Sequence, residues 1–156
     1  MNGTLNILES LKDFKFIKSA VIVTSDKCYK VNKNTKIKKY FKEEDELAGD
    51  DPYSASKACA EILTHSYINS FKKNLKNMRC GVSTARSGNI IGGGDWGKNR
   101  LLTDIFKIIN TPKVLKIRNR DSVRPWIHVL DSLSGYILLA QKNSISEKFV
   151  GSWNFS

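Results

Sequence analysis

The run AVIVT at residues 20–24, continued by SDK at 25–27, decides the fold. Five consecutive apolar and β-branched residues without polar alternation are the pattern of a strand buried on both faces of a parallel sheet. Parallel strands need crossover helices, and the flanking sequence supplies helical patterns. Upstream, residues 3–12 (GTLNILESLK) set Leu5, Leu8 and Leu11 on one stripe and predict a helix. Downstream, a polar stretch from Asp26 to Asp51 exceeds an ordinary connection and reads as a functional loop. Pro52 suits the start of a helix running to about Lys72, with Ala55, Cys59, Ile62, Leu63 and Ser66 along one side. Residues 79–85 (RCGVSTA) read as a second strand. A glycine-rich turn at 92–94, a helix at 101–110, a short strand at 114–117, a helix at 130–142 and an apolar tail at 153–155 complete the pattern. Strands alternating with helices imply a parallel α/β sheet, and the lack of repeats or linker-like segments implies one domain.

The 156 residues carry 26 Lys plus Arg against 15 Asp plus Glu, a net charge of +11, with 40% hydrophobic residues. That balance is globular, not disordered. The lysines cluster at 27–42 and 72–76, without the aromatic interleaving of RNA-binding modules and without zinc-finger or basic-zipper spacing. They read as a solvated surface, so no nucleic-acid partner is expected. No apolar run approaches the roughly 20 residues of a membrane span, so no membrane partner is expected either. The first residues, MNGTLNILES, do not have the pattern of a secretory signal. Cys28, Cys59 and Cys80 are odd in number and contain no CxxC pair, which argues against a disulfide framework and a structural metal site. A reducing, cytoplasmic environment is the expectation.

Two short motifs carry candidate chemistry. Thr24, Ser25, Asp26 and Lys27 leave the first strand where open α/β sheets bind ligands, beyond the carboxyl ends of the strands. A hydroxyl, a carboxylate and an ammonium there can bind a substrate, give a proton and accept one; the same residues also make ordinary strand-exit turns. Tyr53 and Lys57, in YSASK at 53–57, have a YxxxK spacing at a helix start. Residues four apart sit about 40° from each other around a helix, so phenol and ammonium share a face. An ammonium beside a phenol favours phenolate, which would make Tyr53 a usable general base. Taken alone, the spacing is common by chance. The turn at 92–95 (GGGD) is neither a P-loop nor a GxGxxG fingerprint and reads as a substrate-side loop.

In this order and on this scaffold, the two motifs resemble the extended short-chain dehydrogenase/reductase family, and more narrowly its nucleotide-sugar 4,6-dehydratases. Asn2-Gly3-Thr4 with Leu8-Glu9 is similar to the family helix that precedes the catalytic strand. Residues 85–96 (ARSGNIIGGGDW) and 122–129 (SVRPWIHV) resemble the members that act on CDP-glucose. The likeness covers essentially the whole chain. It implies a partial doubly wound parallel, Rossmann-like sheet with the beginning of a substrate-binding region, NAD as cofactor and CDP-glucose as the nucleotide-sugar substrate. It also implies a cycle. Tyr53, assisted by Lys57 and hydrogen-bonded with Ser25, removes the sugar's C4 hydroxyl proton while hydride passes to NAD. The 4-keto group acidifies the C5 hydrogen, which Lys27 removes, where related dTDP-sugar dehydratases carry a glutamate. Asp26 protonates the departing C6 hydroxyl, and the hydride returns to C6. For Lys27 to serve as a base, desolvation or a neighbouring cation such as Lys57 must destabilise its ammonium. The same resemblance places Thr24, Tyr53 and Lys57 against the cofactor and Asn89, Arg100, Arg124 and His128 against the substrate, where arginine forks suit a diphosphate. A 4-epimerase needs the serine and the Tyr–Lys pair but no Asp–Lys elimination pair.

Family members open with a strand, a GxxGxxG turn and a helix N-terminus that holds the cofactor's pyrophosphate. That signature does not occur in the 156 residues. The expectation is therefore a single incomplete domain spanning 1–156, inactive alone, with a complementing chain or a homodimer as partner. A non-catalytic remnant or interaction module, a related epimerase, and a dTDP-glucose dehydratase are the other readings. A sheet without its first strands would expose an edge and an uncovered apolar face.

Overall fold

The computed structural model describes residues 1–31, 40–112, 114–117 and 120–156. Three parallel strands, β1 (Ser19–Val23), β2 (Gly81–Ser87) and β5 (Gly151–Phe155), lie in the order β1-β2-β5. Ser19 pairs with Gly81 and Val23 with Ala85; Ser83 pairs with Gly151 and Ser87 with Phe155. A second small parallel sheet joins β3 (Asn89–Ile91) to β4 (Trp126–His128). The helices are α1 (Asn2–Ser10), α2 (Pro52–Ser70), α3 (Lys72–Met78), α4 (Leu101–Ile108) and α5 (Val129–Ile145).

Side chains of β2 alternate between two helical layers, as a strand's period of two requires. Val82 packs with Leu8 and Leu11 of α1, Tyr67 of α2 and Leu75 of α3. Thr84 and Arg86 point to the same side, where both hydrogen-bond Glu61 of α2. Ser83 and Ser87 point the other way, to Asn143 and Tyr136 of α5. All seven residues of β2 are buried.

The fully buried parallel strand expected at 20–24 is instead half-buried. β1 is an edge of the described sheet, and Val23 is 46% exposed because no described strand lies beyond it. The second strand begins two residues later than expected. Arg79 adopts a left-handed conformation (φ 52°) at the exit of α3, and Cys80 N–H closes that helix onto Leu75, so neither residue joins the ladder. No strand forms at 114–117: the segment has no ladder partner among the described residues, and Val114 is 86% exposed. The expected helix at 52–72 ends at Ser70, with Phe71 as the break before α3.

α2 also turns a different face inward. Cys59, Ile62 and Ser66 of the expected stripe are exposed, and the buried positions include Ser54, Ala58, Glu61, Thr64 and Tyr67. Among the polar members, Ser54 belongs to the helix cap with Asp51, Thr64 donates to Ala60 C=O (2.8 Å), and Glu61 forms a buried ion pair with Arg86. The start of α2 was readable: Asp51 accepts from Tyr53 N–H (2.9 Å) and Ser54 N–H (3.0 Å), and Ser54 Oγ accepts from Asp51 N–H (3.1 Å). This capping box, with Pro52 in the first turn, fixes where the helix carrying Tyr53 and Lys57 begins.

On the other layer, Ser132, Leu139 and Asn143 of α5 face the sheet, while Leu130, Leu133, Ile137, Leu138 and Ile145 point outward and are exposed. The accessible surface of 11268 Å² exceeds the roughly 7,900 Å² expected of a compact monomer of this mass. The open edge of β1 and the outer stripe of α5 contribute to that excess. Among the described residues, no helix is long and apolar enough to cross a membrane, and no group of His, Cys, Asp and Glu could hold a metal ion. Residues 32–39 of the lysine-rich run and of the long polar connection lie outside the described residues.

Candidate active site

A cleft of about 750 Å³ opens at the carboxyl ends of β1 and β2. Thr24, Ser25, Asp26, Lys27, Tyr53, Asn89, Arg100 and Arg124 all line it. One concavity thus gathers eight of the ten expected site residues from separate parts of the chain.

The ladder still holds Thr24, whose N–H donates to Ala85 C=O at 2.8 Å. Ser25 then caps a single 3-10 turn, Asp26–Cys28. Its Oγ accepts from Lys27 N–H (3.3 Å) and donates to Asp26 Oδ1 (3.1 Å), and Cys28 N–H closes onto Ser25 C=O (3.1 Å). The turn presents the Asp26 and Lys27 side chains half-buried at the cleft. Burial raises the Asp26 carboxyl above its ordinary value, against the opposing pull of the Ser25 hydroxyl and the Arg124 charge. A carboxyl pushed that way is suited to carrying a proton.

Tyr53, in the first turn of α2, is 55% exposed, so its phenol faces the cleft unobstructed. Lys57 does not line the cleft. Its Nζ donates to Val23 C=O at 3.3 Å and lies 6.0 Å from the centre of the Tyr53 ring, which ties the helix to the end of β1.

Three of the expected residues are held by partners within the chain. Thr24 is only 5% exposed, and its hydroxyl donates inward to Glu61. His128 does not line the cleft; it ends β4 and accepts from Leu130 N–H (3.3 Å) through Nδ1, as the N-cap of α5. Arg100 lines the cleft with its guanidinium paired to Asp95 at 3.2 Å, within the loop that leads into α4.

Sequence reasoning missed a buried polar network directly beneath the site. Glu61 and Arg86 form an ion pair of 2.8 Å whose side chains are 1% and 3% exposed. Arg86 also donates to Tyr29 Oη (2.8 Å), Glu43 C=O (2.9 Å) and Ser152 Oγ (2.9 Å). Glu61 accepts from Thr24, Thr84 (2.7 Å) and Ser152 (3.2 Å). Burial disfavours both charges. The hydrogen bonds from Arg86, Thr24 and Thr84 outweigh it and hold the Glu61 carboxyl below its usual range. Hydrogen bonds to Glu61 and Tyr29 likewise keep Arg86 firmly protonated. One signal was available: Glu61 follows Tyr53 by eight residues and Lys57 by four, so it stands on their face of α2. Tyr136, which lines the cleft and shares a short hydrogen bond with Ser87, was also missed.

Parallel strands, a Tyr–Lys pair opening a helix and a polar turn at the strand ends place the molecule among Rossmann-like α/β proteins with a ligand cleft at the carboxyl edge of the sheet. The chain belongs to the NAD dependent epimerase/dehydratase family, whose pattern matches residues 1–150. It is 43% identical over 156 residues to the CDP-glucose 4,6-dehydratase of Salmonella typhimurium, covering 98% of this chain and 43% of that one. The dTDP-D-glucose 4,6-dehydratase of Dictyostelium discoideum is 27% identical over 154 residues, covering 94% of this chain and 34% of that one. Among solved structures, dTDP-glucose 4,6-dehydratase from Bacillus anthracis in complex with NAD matches with a TM-score of 0.78 at 27% identity, covering 98% of this chain and 44% of that one. The chain spans less than half the length of these relatives.

Proposed function

We propose that this chain carries the proton-handling half of a nucleotide-sugar 4,6-dehydratase acting on CDP-glucose with NAD. One observation supports this reading above the others: Ser25, Asp26, Lys27 and Tyr53 open into a single cleft, with Asp26 and Lys27 on one tight turn. A 4-epimerase needs no such acid–base pair. The identity of 43% to a CDP-glucose 4,6-dehydratase favours the same substrate.

The residues present fit the nicotinamide–ribose end of a dinucleotide. Tyr53 lines the cleft together with the exposed Val23, and the Lys57 ammonium is held at the Val23 carbonyl (3.3 Å) next to it. NAD bound there would accept hydride from sugar C4 and later return it to C6. Tyr53 would take the proton from the C4 hydroxyl, with Lys57 beside it on the same helix face. Lys27 would remove the C5 proton once C4 is a ketone. Asp26, its carboxyl raised by burial above the ordinary carboxylate value, would hand its proton to the departing C6 hydroxyl. Arg124, exposed at the rim, would meet the diphosphate, and its charge would then oppose the Asp26 proton less.

The test uses the purified chain with CDP-glucose and NAD, reading the 4-keto-6-deoxy product by its absorbance in alkali. The expected result is no product from the chain alone, product on adding a companion chain bearing the GxxGxxG segment, and loss of that product with Tyr53→Phe. Product from the chain alone would overturn the half-site reading. No product with the companion would favour a non-catalytic remnant.

A further inference from the structure

We propose that the buried Glu61–Arg86 ion pair is a positioning element that holds the Ser25–Asp26–Lys27 turn in register with the helix carrying Tyr53. The turn is short, and both of its flanks are tied to this one pair. On its N-terminal side, the Thr24 hydroxyl donates to Glu61. On its C-terminal side, the Tyr29 hydroxyl accepts from Arg86 at 2.8 Å. Between the two anchors lie only Ser25, Asp26, Lys27 and Cys28.

The pair is itself referenced to the catalytic helix, because Glu61 sits on α2 one turn beyond Lys57 and two beyond Tyr53. Its remaining bonds leave it little freedom. Thr84 of β2, Ser152 of β5 and the Glu43 carbonyl each take one of its polar atoms. The Tyr29 anchor is fixed in turn: its hydroxyl donates to Asn154 Oδ1 (2.7 Å), and its ring stacks on Phe41 at 4.7 Å with 2° between planes.

Stability alone is a poor account of this arrangement. Burying two charges carries a desolvation cost, and apolar residues of like volume often serve the core as well or better. What an ion pair adds is direction. Proton transfer to a departing hydroxyl demands placement within about half an ångström, which a turn held at only one end would not keep. The catalytic consequence rests on the roles proposed for Asp26, Lys27 and Tyr53; the mechanical coupling does not.

The chain's three thiols report on that coupling directly. Cys28 lies inside the turn and is fully buried with Tyr29 and Ala58. Cys80 is buried in the other core cluster, with Leu8, Tyr67 and Leu75. Cys59 is exposed. Thr24→Val and Tyr29→Phe each delete one anchoring hydroxyl, keep nearly the same shape and leave Glu61 and Arg86 paired. Thiol labelling of the 156-residue chain with Ellman's reagent, resolved by peptide mass, is the measurement. In each variant, Cys28 labelling is expected to rise by about tenfold, the fold-change equivalent to one lost hydrogen bond. Cys80 is expected to keep its wild-type rate, with Cys59 reacting fast throughout. An unchanged Cys28 rate would refute the coupling. Cys28 and Cys80 rising together would also refute it, by making the pair a general stability element. Neither outcome depends on turnover, so the dehydratase reading and this inference can fail separately.

Discussion

Replacing Arg86 by Met is the most demanding perturbation of this fold. The change removes all four hydrogen bonds from the guanidinium, to Glu61, Tyr29, Glu43 and Ser152. It leaves the Glu61 carboxylate 1% exposed, with only the Thr24, Thr84 and Ser152 hydroxyls for company. Removing one partner of a buried pair costs about 3–5 kcal/mol, mostly because the other charge is left uncompensated. Domains of this size have about 5–15 kcal/mol in total, so the variant should sit near the edge of folding. Adding Glu61→Gln removes the stranded charge. The double variant should therefore be more stable than the sum of the single losses predicts, by a coupling of about 1–3 kcal/mol. Urea unfolding followed by circular dichroism at pH 7 measures all four corners of the cycle.

The same cycle carries a pH signature. Glu61 titrates below its ordinary value in the folded state, so its contribution is fully present above the unfolded value of about 4.3. It is lost as pH falls through the lower folded value. Wild type should shed stability across that acid window, and the double variant should lack this part of the slope. If Arg86→Met costs less than about 1 kcal/mol, or if both proteins show the same acid slope, the pair is not the desolvated, charge-balanced unit described above.

Asp26 should behave in the opposite sense. Its carboxyl is raised, so ionising it opposes folding. Asp26→Asn should gain stability relative to wild type as pH rises from the ordinary carboxylate value of about 3.9 through the raised one, while product formation in the companion-chain assay falls about 10²–10⁴-fold. Tyr53→Phe should lose product to a similar extent yet stay within about 0.5 kcal/mol of wild type, because the side chain is 55% exposed. Gly81→Ala should destabilise by about 1–3 kcal/mol in the same urea assay. The new Cβ would stand 2.4 Å from the Asn143 carbonyl oxygen, forcing α5 away from β2. A silent Gly81→Ala would mean that the α5–β2 contact is looser than described.

Local chemistry explains which elements could be read from sequence. The AVIVT run, the helix stripe around Leu8 and the Asp51–Pro52 start of α2 are all set by neighbours in the chain, and each forms close to where the sequence places it. The failures are tertiary. Whether β1 is covered depends on which strands lie beside it, a property absent from its own five residues. Residues 114–117 had strand propensity but no partner among the described residues. β3 and β4, three residues each, exist only because they find one another. In the site, YxxxK and SDK were legible because each is a run of near neighbours in the chain. His128 stands outside the cleft lining because a strand-to-helix junction uses its ring nitrogen as a cap. Glu61 was overlooked because a glutamate on a helix ordinarily faces water, and only Arg86, 25 residues away, makes its burial sensible.

That difference in legibility follows how firmly the two sides of the cleft are built. The hydrogen bonds described around the proton-handling side come from within the chain: Ala85 holds Thr24, Ser25 closes its own turn, the Glu61–Arg86 pair ties both flanks, and Asp51 sets the first turn of α2. The side proposed for the diphosphate stands on side chains with more freedom. Arg124 is exposed, and the guanidinium of Arg100 is 64% exposed and bonded within its own loop. Proton transfer fails when donor and acceptor are misplaced by an ångström, whereas a diphosphate can draw a flexible arginine to itself. On the proposed reading, a fold spanning less than half the length of its relatives carries the geometrically strict half of the site.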